Sequence, residues 1–303
     1  MQNTSNLLMI QPVNFGFNQE TAVNNAFQVA GYEQLAQQNA AKEFELFVKK
    51  LNMYGVDVTV VQDTPTPHTP DSIFPNNWIS FHQGNKICLY PMFAESRRNE
   101  RKPHVIEAIK QKFRIDETID FTYFEKENKF LEGTGSMVLD RVNNIAYACL
   151  SPRTNKEAFE VFCSKMNFKG VSFTSLDDNG GEIYHTNVVM CVADKYAIIC
   201  LESIKDAQEQ KMVVDSLTNS GKEVIEIASK QMNNFAGNML QVKNGEGVPF
   251  LVMSSRACRV LSREQVTGIK FYNDIIDAEL DVIEKNGGGS ARCMLAEIFL
   301  DKI

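Results

Sequence analysis

The chain has 303 residues, 44% hydrophobic and 23% charged, which is the composition of a globular protein with a large buried core rather than a disordered one. Its net charge of -7, from 31 basic and 38 acidic residues, argues against a nucleic-acid partner, which needs a concentrated basic face, and the one basic run from Arg97 to Lys102 is too short to alter that. No stretch approaches the roughly 18 apolar residues of a membrane span, and "NLLMIQP" lacks the charged and long apolar regions of a signal peptide, so a cytoplasmic location and no membrane partner are expected.

In chain order, the first periodic segment is "QNAAKEFELFVKKLNMYG", with apolar residues near i, i+3, i+4 and i+7, which predicts a helix. The Pro/Thr-rich stretch from Val61 to Pro75 is not helical and is a candidate for a loop that moves over a pocket. Then "FPNNWISF" reads as a polar turn running into a strand, and "HVIEAIKQKFR" as a helix. The pattern returns as "EGTGSMVLD" with a second β-rich run "NNIAYACLS" and the helix "TNKEAFEVFCSKMNF". It returns again as "YHTNVVMCV", "KYAIICLES" and the helix "DAQEQKMVVDSLTNSG", then as "FAGNMLQV" and the helix "SREQVTGIKFYNDIIDAEL", and finally as "SARCMLAEI".

Aligned on Asn77, Ser136, Asn187, Asn238 and Cys293, the five segments lie 59, 51, 51 and 55 residues apart. A near-constant period filling the chain predicts one strand–strand–helix–strand module repeated about five times. A doubly wound sheet is the alternative, but there is no GxGxxG turn, and the helices come once per two or three strands. The expected fold is therefore α/β, a five-bladed propeller in one domain over residues 1–303. Such a ring would bring Asp71, Asn77, Glu132, His185, Asn187, Asn238 and Cys293 to one central pocket. Seven cysteines at irregular spacing, with no CxxC pair, suggest neither a disulfide framework nor a zinc site, and the four histidines do not sit at ligand spacing.

"GGGSARCM", "EGTGSMVLD", "YHTN", "PDSIFPNNW" and "LSPRTN" together resemble the pentein superfamily of guanidino-group modifying enzymes. This superfamily includes arginine deiminase, dimethylarginine dimethylaminohydrolase and the amidinotransferases. The resemblance implies the five-bladed fold, a Cys nucleophile, a His acid/base, acidic residues on the substrate's end group, and no metal or organic cofactor. It implies a small-molecule amino-acid substrate, and it leaves a homo-oligomer open.

Carried onto this sequence, the nucleophile is Cys293, because a thiolate can attack the planar carbon of a guanidinium or ureido group. His185 would move the protons, and Glu132 would hold a substrate N–H and orient His185. The other six cysteines, and His68, His82 and His104, read as structural. Asp71 matches the position that holds the α-ammonium group. Arg153, and Arg97 or Arg98, match the arginines that hold the α-carboxylate, a task suited to a guanidinium fork.

Two departures bear on the substrate. The residue six after Asp71 and the residue two after His185 are aspartates in arginine deiminases, and here they are Asn77 and Asn187. Each change removes a charge that would pair with a buried guanidinium, while an amide both donates and accepts, as a neutral ureido group requires. The expected reaction is hydrolysis of citrulline to ornithine, ammonia and carbon dioxide. Hydrolysis of arginine or a methylarginine is the alternative, then amidino transfer. Because the superfamily also holds a non-catalytic ribosome-binding factor, a binding protein is the remaining one.

Overall fold

The computed structural model describes residues 1–29 and 35–303. Among the described residues, the strands form five separate three-stranded sheets. Four follow the chain directly: β3 (Ile79–His82), β4 (Lys86–Leu89) and β5 (Glu117–Asp120); β6 (Val138–Asp140), β7 (Ile145–Cys149) and β8 (Lys169–Phe173); β9 (Met190–Val192), β10 (Tyr196–Ile199) and β11 (Glu223–Glu226); and β12 (Leu240–Lys243), β13 (Pro249–Ser254) and β14 (Asp274–Ala278). The fifth joins β1 (Asn6–Gln11) and β2 (Asp57–Gln62) to β15 (Ala296–Glu297), so residues far apart in sequence share one sheet.

Every sheet has the same pairing. In each, the first two strands are antiparallel and the third is parallel to the second; a short turn joins the antiparallel pair in the four modules that follow the chain, whereas β15 and β1 come from opposite ends of it. A parallel neighbour needs a crossover, which is where the helices fall: Ala36–Met53, Pro103–Lys110, Lys156–Met166, Ala207–Asn219 and Arg263–Tyr272. The first of these buries Ala36, Ala40, Phe44, Phe47 and Leu51, a single stripe at helical spacing. Starts are marked by side chains: Asn155 accepts from the Ala158 N–H, Asp206 from those of Gln208 and Glu209, and Ser262 forms a capping box with Gln265.

The helix read through "SREQVTGIKFYNDIIDAEL" is shorter than expected. Asn273 turns extended after Tyr272, and Asp274–Ala278 becomes β14 beside β13. The isoleucines of "DIIDA" fit helical spacing, but their β-branched side chains belong on a pleated surface, and the open flank of β13 decides between the two.

Burial grades across each sheet. First and second strands are buried along nearly their whole length, whereas third strands alternate, as in β2 and β11, and form the outer edge. At the inner ends lie four short helical turns, Pro75–Asn77, Gly133–Ser136, Thr186–Val189 and Ala291–Met294, and a turn ending at Gly237 before β12. These turns press on one another. A Cβ on Gly237 would lie 2.1 Å from the Val188 carbonyl oxygen of the preceding module's turn, a spacing only glycine permits.

Candidate active site

The inner turns carry the residues singled out from sequence. Asn77 ends the turn before β3, Glu132 precedes the turn before β6, and His185 and Asn187 begin the turn before β9. Asn238 stands before β12, and Cys293 lies in the turn before β15. The helix Asp281–Gly287 stops because Gly288 adopts a φ of 63°, and the chain then folds back to present Cys293.

Two amides meet the sulfur. Asn187 Nδ2 lies 3.4 Å and Asn238 Nδ2 3.3 Å from Cys293 Sγ. His185 Nε2 is 2.8 Å from Glu132 Oε2, while the other Glu132 oxygen accepts the Phe93 backbone N–H at 2.9 Å. Glu132 is thus both a backbone anchor and the partner of His185. Burial alone would push its carboxyl up, but Arg153, His185 and Arg97 outweigh it and hold the group at about 2. Burial pulls His185 down to about 4 despite Glu132, so the imidazole is neutral at pH 7. With an ionised Glu132 as acceptor, the Nε2–H tautomer follows, and Nδ1 is left as a base.

Cys293, His185, Asn77, Asp71, Arg97 and Arg153 line one small cavity, about 260 Å³ of empty space, together with Thr21, Asn25, Phe74, Tyr184 and Gly287 to Gly289. Asp71 is buried, which raises its carboxyl above the usual range even with Arg97 nearby. Its Oδ2 accepts from Asn18 Nδ2 at 2.8 Å and Thr21 Oγ1 at 3.2 Å, and its Oδ1 has no partner. Arg97 places Nε and Nη2 on the two Glu100 oxygens at 2.8 and 3.0 Å, and Nη1 on Asn77 Oδ1 at 2.9 Å. The fork of Arg97 is therefore filled by Glu100, and its remaining arm fixes Asn77. Arg153 donates to Asn24 Oδ1 and the Thr21 carbonyl, and its guanidinium lies over the Tyr184 ring, 5.0 Å from the centroid.

Arg98 is not part of this group. Its Nε donates to the Met92 carbonyl at 3.1 Å, and its guanidinium faces Glu95 and Glu125, because it points to the opposite side of a four-residue helical turn from Arg97. The stretch from Val61 to Pro75 is pinned rather than free: Lys102 Nζ bonds Asp63 Oδ1, the Thr64 and Pro67 carbonyls and Thr69 Oγ1. What covers the cavity instead is the segment around Asn18 to Asn25. Asn25 Nδ2 and Tyr184 OH both donate to the Gly288 carbonyl, at 3.3 and 2.5 Å. Those two residues also border a second, larger cavity, about 1640 Å³ of empty space. Asn18, Thr21, Asn24 and Tyr184 were not singled out from sequence. Only the Tyr184–His185 adjacency offered any signal.

The remaining histidines and cysteines lie elsewhere. His82 is buried against Ser80 Oγ at 2.7 Å, His68 and His104 meet backbone carbonyls near the surface, and burial pushes Cys88, Cys149, Cys163 and Cys191 up to about 12.

The sequence profile of the N,N-dimethylarginine dimethylhydrolase family, eukaryotic, matches residues 11–300. The chain belongs to this family. It is thereby a member of the pentein superfamily, in which the dimethylhydrolases and arginine dihydrolases are cysteine-nucleophile hydrolases. No curated protein sequence is significantly similar to this one. Among solved structures, the N-terminal domain of ArgZ, an arginine dihydrolase from the ornithine-ammonia cycle in cyanobacteria, was captured bound to substrate as a cysteine-to-serine variant. It is 16% identical over 97% of both chains, with a TM-score of 0.77. The chain spans 41% of the full-length ArgZ protein. DDAH from Pseudomonas aeruginosa, in complex with citrulline, is 14% identical over 98% of this chain and 100% of that one, with a TM-score of 0.66. At these identities the likeness is one of fold. Among the described residues, no helix is long and apolar enough to cross a membrane.

Proposed function

We propose that this protein hydrolyses the end group of an α-amino acid carrying a ureido or guanidino function, with Cys293 as nucleophile and citrulline as the substrate its site fits best. The observation that carries the ureido reading is a pair of buried amide atoms without partners. Asn77 Nδ2 is a donor and Asn187 Oδ1 an acceptor, each fixed in orientation because its other end is engaged, by Arg97 and by Cys293 respectively. A ureido group supplies a carbonyl to the first and an N–H to the second, while a guanidinium has only donors and would leave Asn77 Nδ2 facing another N–H.

The chemistry runs through the groups in the cavity. His185, neutral and held by Glu132, takes the thiol proton, and Cys293 attacks the ureido carbon. Ornithine or ammonia departs as His185 returns that proton, and water then cleaves the thioester, so the net products are ornithine, ammonia and carbon dioxide. The free Asp71 oxygen suits an α-ammonium group. Arg153 suits the α-carboxylate, which would take the place of Asn24, whereas Arg97 serves to orient Asn77. Residues 1–303 act as one catalytic domain, and the contacts between inner turns support closing its five sheets into a propeller around this cavity.

Arginine dihydrolysis is the second reading, favoured by ArgZ and by AgrE, whose cysteine-to-alanine variant was captured with L-arginine at 16% identity. In that case the ureido compound would be an intermediate on the way to ornithine. The test is mass-spectrometric product analysis after incubation with citrulline, arginine and dimethylarginine, beside Cys293→Ala. Ornithine from citrulline, absent in the variant, is expected. Ornithine from arginine as well would establish the second reading, and citrulline accumulating from a guanidine, with citrulline itself inert, would overturn the amide-clamp argument.

A further inference from the structure

We infer that Asn238 is a thiolate-holding residue, committed by two backbone contacts to aim one N–H at Cys293. This rests on the proposed role of Cys293 and goes beyond it, because the partners of Asn238 leave its amide a single orientation. Its Oδ1 accepts the Arg292 backbone N–H at 3.1 Å, and its Nδ2 donates to the Asn187 carbonyl at 3.0 Å. A flip would set an N–H against the Arg292 N–H and an oxygen against the Asn187 carbonyl, two repulsive contacts in a fully buried place.

The second hydrogen of Nδ2 then has one acceptor within reach, Cys293 Sγ at 3.3 Å. Since Arg292 precedes the nucleophile and Asn187 supplies the other amide at the sulfur, the three turns before β9, β12 and β15 lock one another into register around the sulfur. The neutral thiol has only a long contact of its own, from Sγ to Asn238 Oδ1 at 3.7 Å, so the arrangement stabilises the anion more, since a charge-assisted acceptor strengthens each N–H contact.

The test is iodoacetamide labelling of the purified protein, read at the Cys293 peptide by mass spectrometry at pH 7 and pH 9.5, for the parent, Asn238→Asp and Asn238→Ser. Asn238→Asp keeps the acceptor for the Arg292 N–H but turns an anionic oxygen toward the sulfur. It is expected to lower the pH 7 to pH 9.5 rate ratio about tenfold or more, with a smaller fall in Asn238→Ser, whose hydroxyl restores a donor. Turnover on the active substrate should fall in kcat with KM within about twofold. A folded variant with the parent's rate ratio would overturn the inference, and so would a parent in which Cys293 labels at pH 9.5 but not at pH 7, whether or not the variants fold. If instead Cys293→Ala keeps turnover, it is the assignment of the nucleophile that fails.

Discussion

At the scale of single residues, the site is a set of polar groups whose charge states are set by burial and by one another: burial lowers His185, while Arg153, His185 and Arg97 hold Glu132 down against its burial. Glu132 sits at about 2 and His185 at about 4, so at neutral pH the pair is a carboxylate beside a neutral ring. The folded-state value of His185 lies below its ordinary 6.5, so between about 6.5 and 4 the unfolded chain binds the proton and the folded chain does not. The stability this group contributes is complete above pH 6.5 and lost as the pH falls toward 4. Replacing it, as in His185→Asn, should therefore shrink the loss of urea stability between pH 7 and pH 4.5 relative to the parent, while product formation drops by roughly 100-fold or more. A variant losing as much stability as the parent over that interval would contradict the assignment.

The sequence exposed Glu132, His185, Asn187 and Cys293 because each stands at a fixed offset from a strand in a repeated unit. Asn18, Thr21 and Asn24 stayed hidden for the opposite reason. They belong to a segment outside the repeat, and they reach partners 50 to 132 residues away. Nothing in their neighbours' periodicity records such contacts. Arg97 and Arg98 were inseparable in sequence because adjacent residues differ only in direction, which is set by the helical turn Glu95–Arg98 once it docks.

Among elements, the inner turns matter most, since they press on one another and hold the side chains around the cavity in place. Gly135, in the Gly133–Ser136 turn, shows how little room is left. A Cβ there would lie 2.3 Å from Asn77 Nδ2 and 2.8 Å from His185 Nδ1. Both contacts are to side chains, so the turn itself can survive the added methyl. Gly135→Ala is expected to fold, with a melting temperature within a few degrees of the parent, and to lose about 100-fold or more in kcat/KM because Asn77 and His185 are pushed off position. An alanine variant with parental kinetics would show that those two side chains need not sit where they do. Element type was legible wherever periodicity and partners agree, as in Ala36–Met53. It failed at Asp274–Ala278, where two periodicities fit the same five residues and only the flank of β13 could choose.

For the whole molecule, the pairing of β15 with β1 decides coherence, because Leu8 meets Ala296 across most of the chain. The segment after Cys293 also buries Leu295, Ile298 and Leu300, and the Arg114 N–H donates to the Asp301 carbonyl, so it ties the first sheet to the neighbouring one. Deleting residues 295–303 removes these side chains at about 1.5–3 kcal/mol each, a large share of the roughly 5–15 kcal/mol that holds a folded protein. Thermal denaturation should show no cooperative transition at 37 °C or above, and a deletion variant that melts like the parent would mean the sheet closes without β15.

The half-buried third strands carry a consequence of another kind. Each leaves an open ladder facing outward, the ordinary template for a second copy to add a strand. On four of the five, solvent-facing positions include acids, Asp57 on β2, Glu117 and Asp120 on β5, Glu223 and Glu226 on β11, and Asp274 on β14, whereas β8 exposes Lys169 and Gly170. Two such rims approaching edge to edge would set like charges against one another. The acids on these four rims thus disfavour the folded protein's polymerising through like edges of its own sheets.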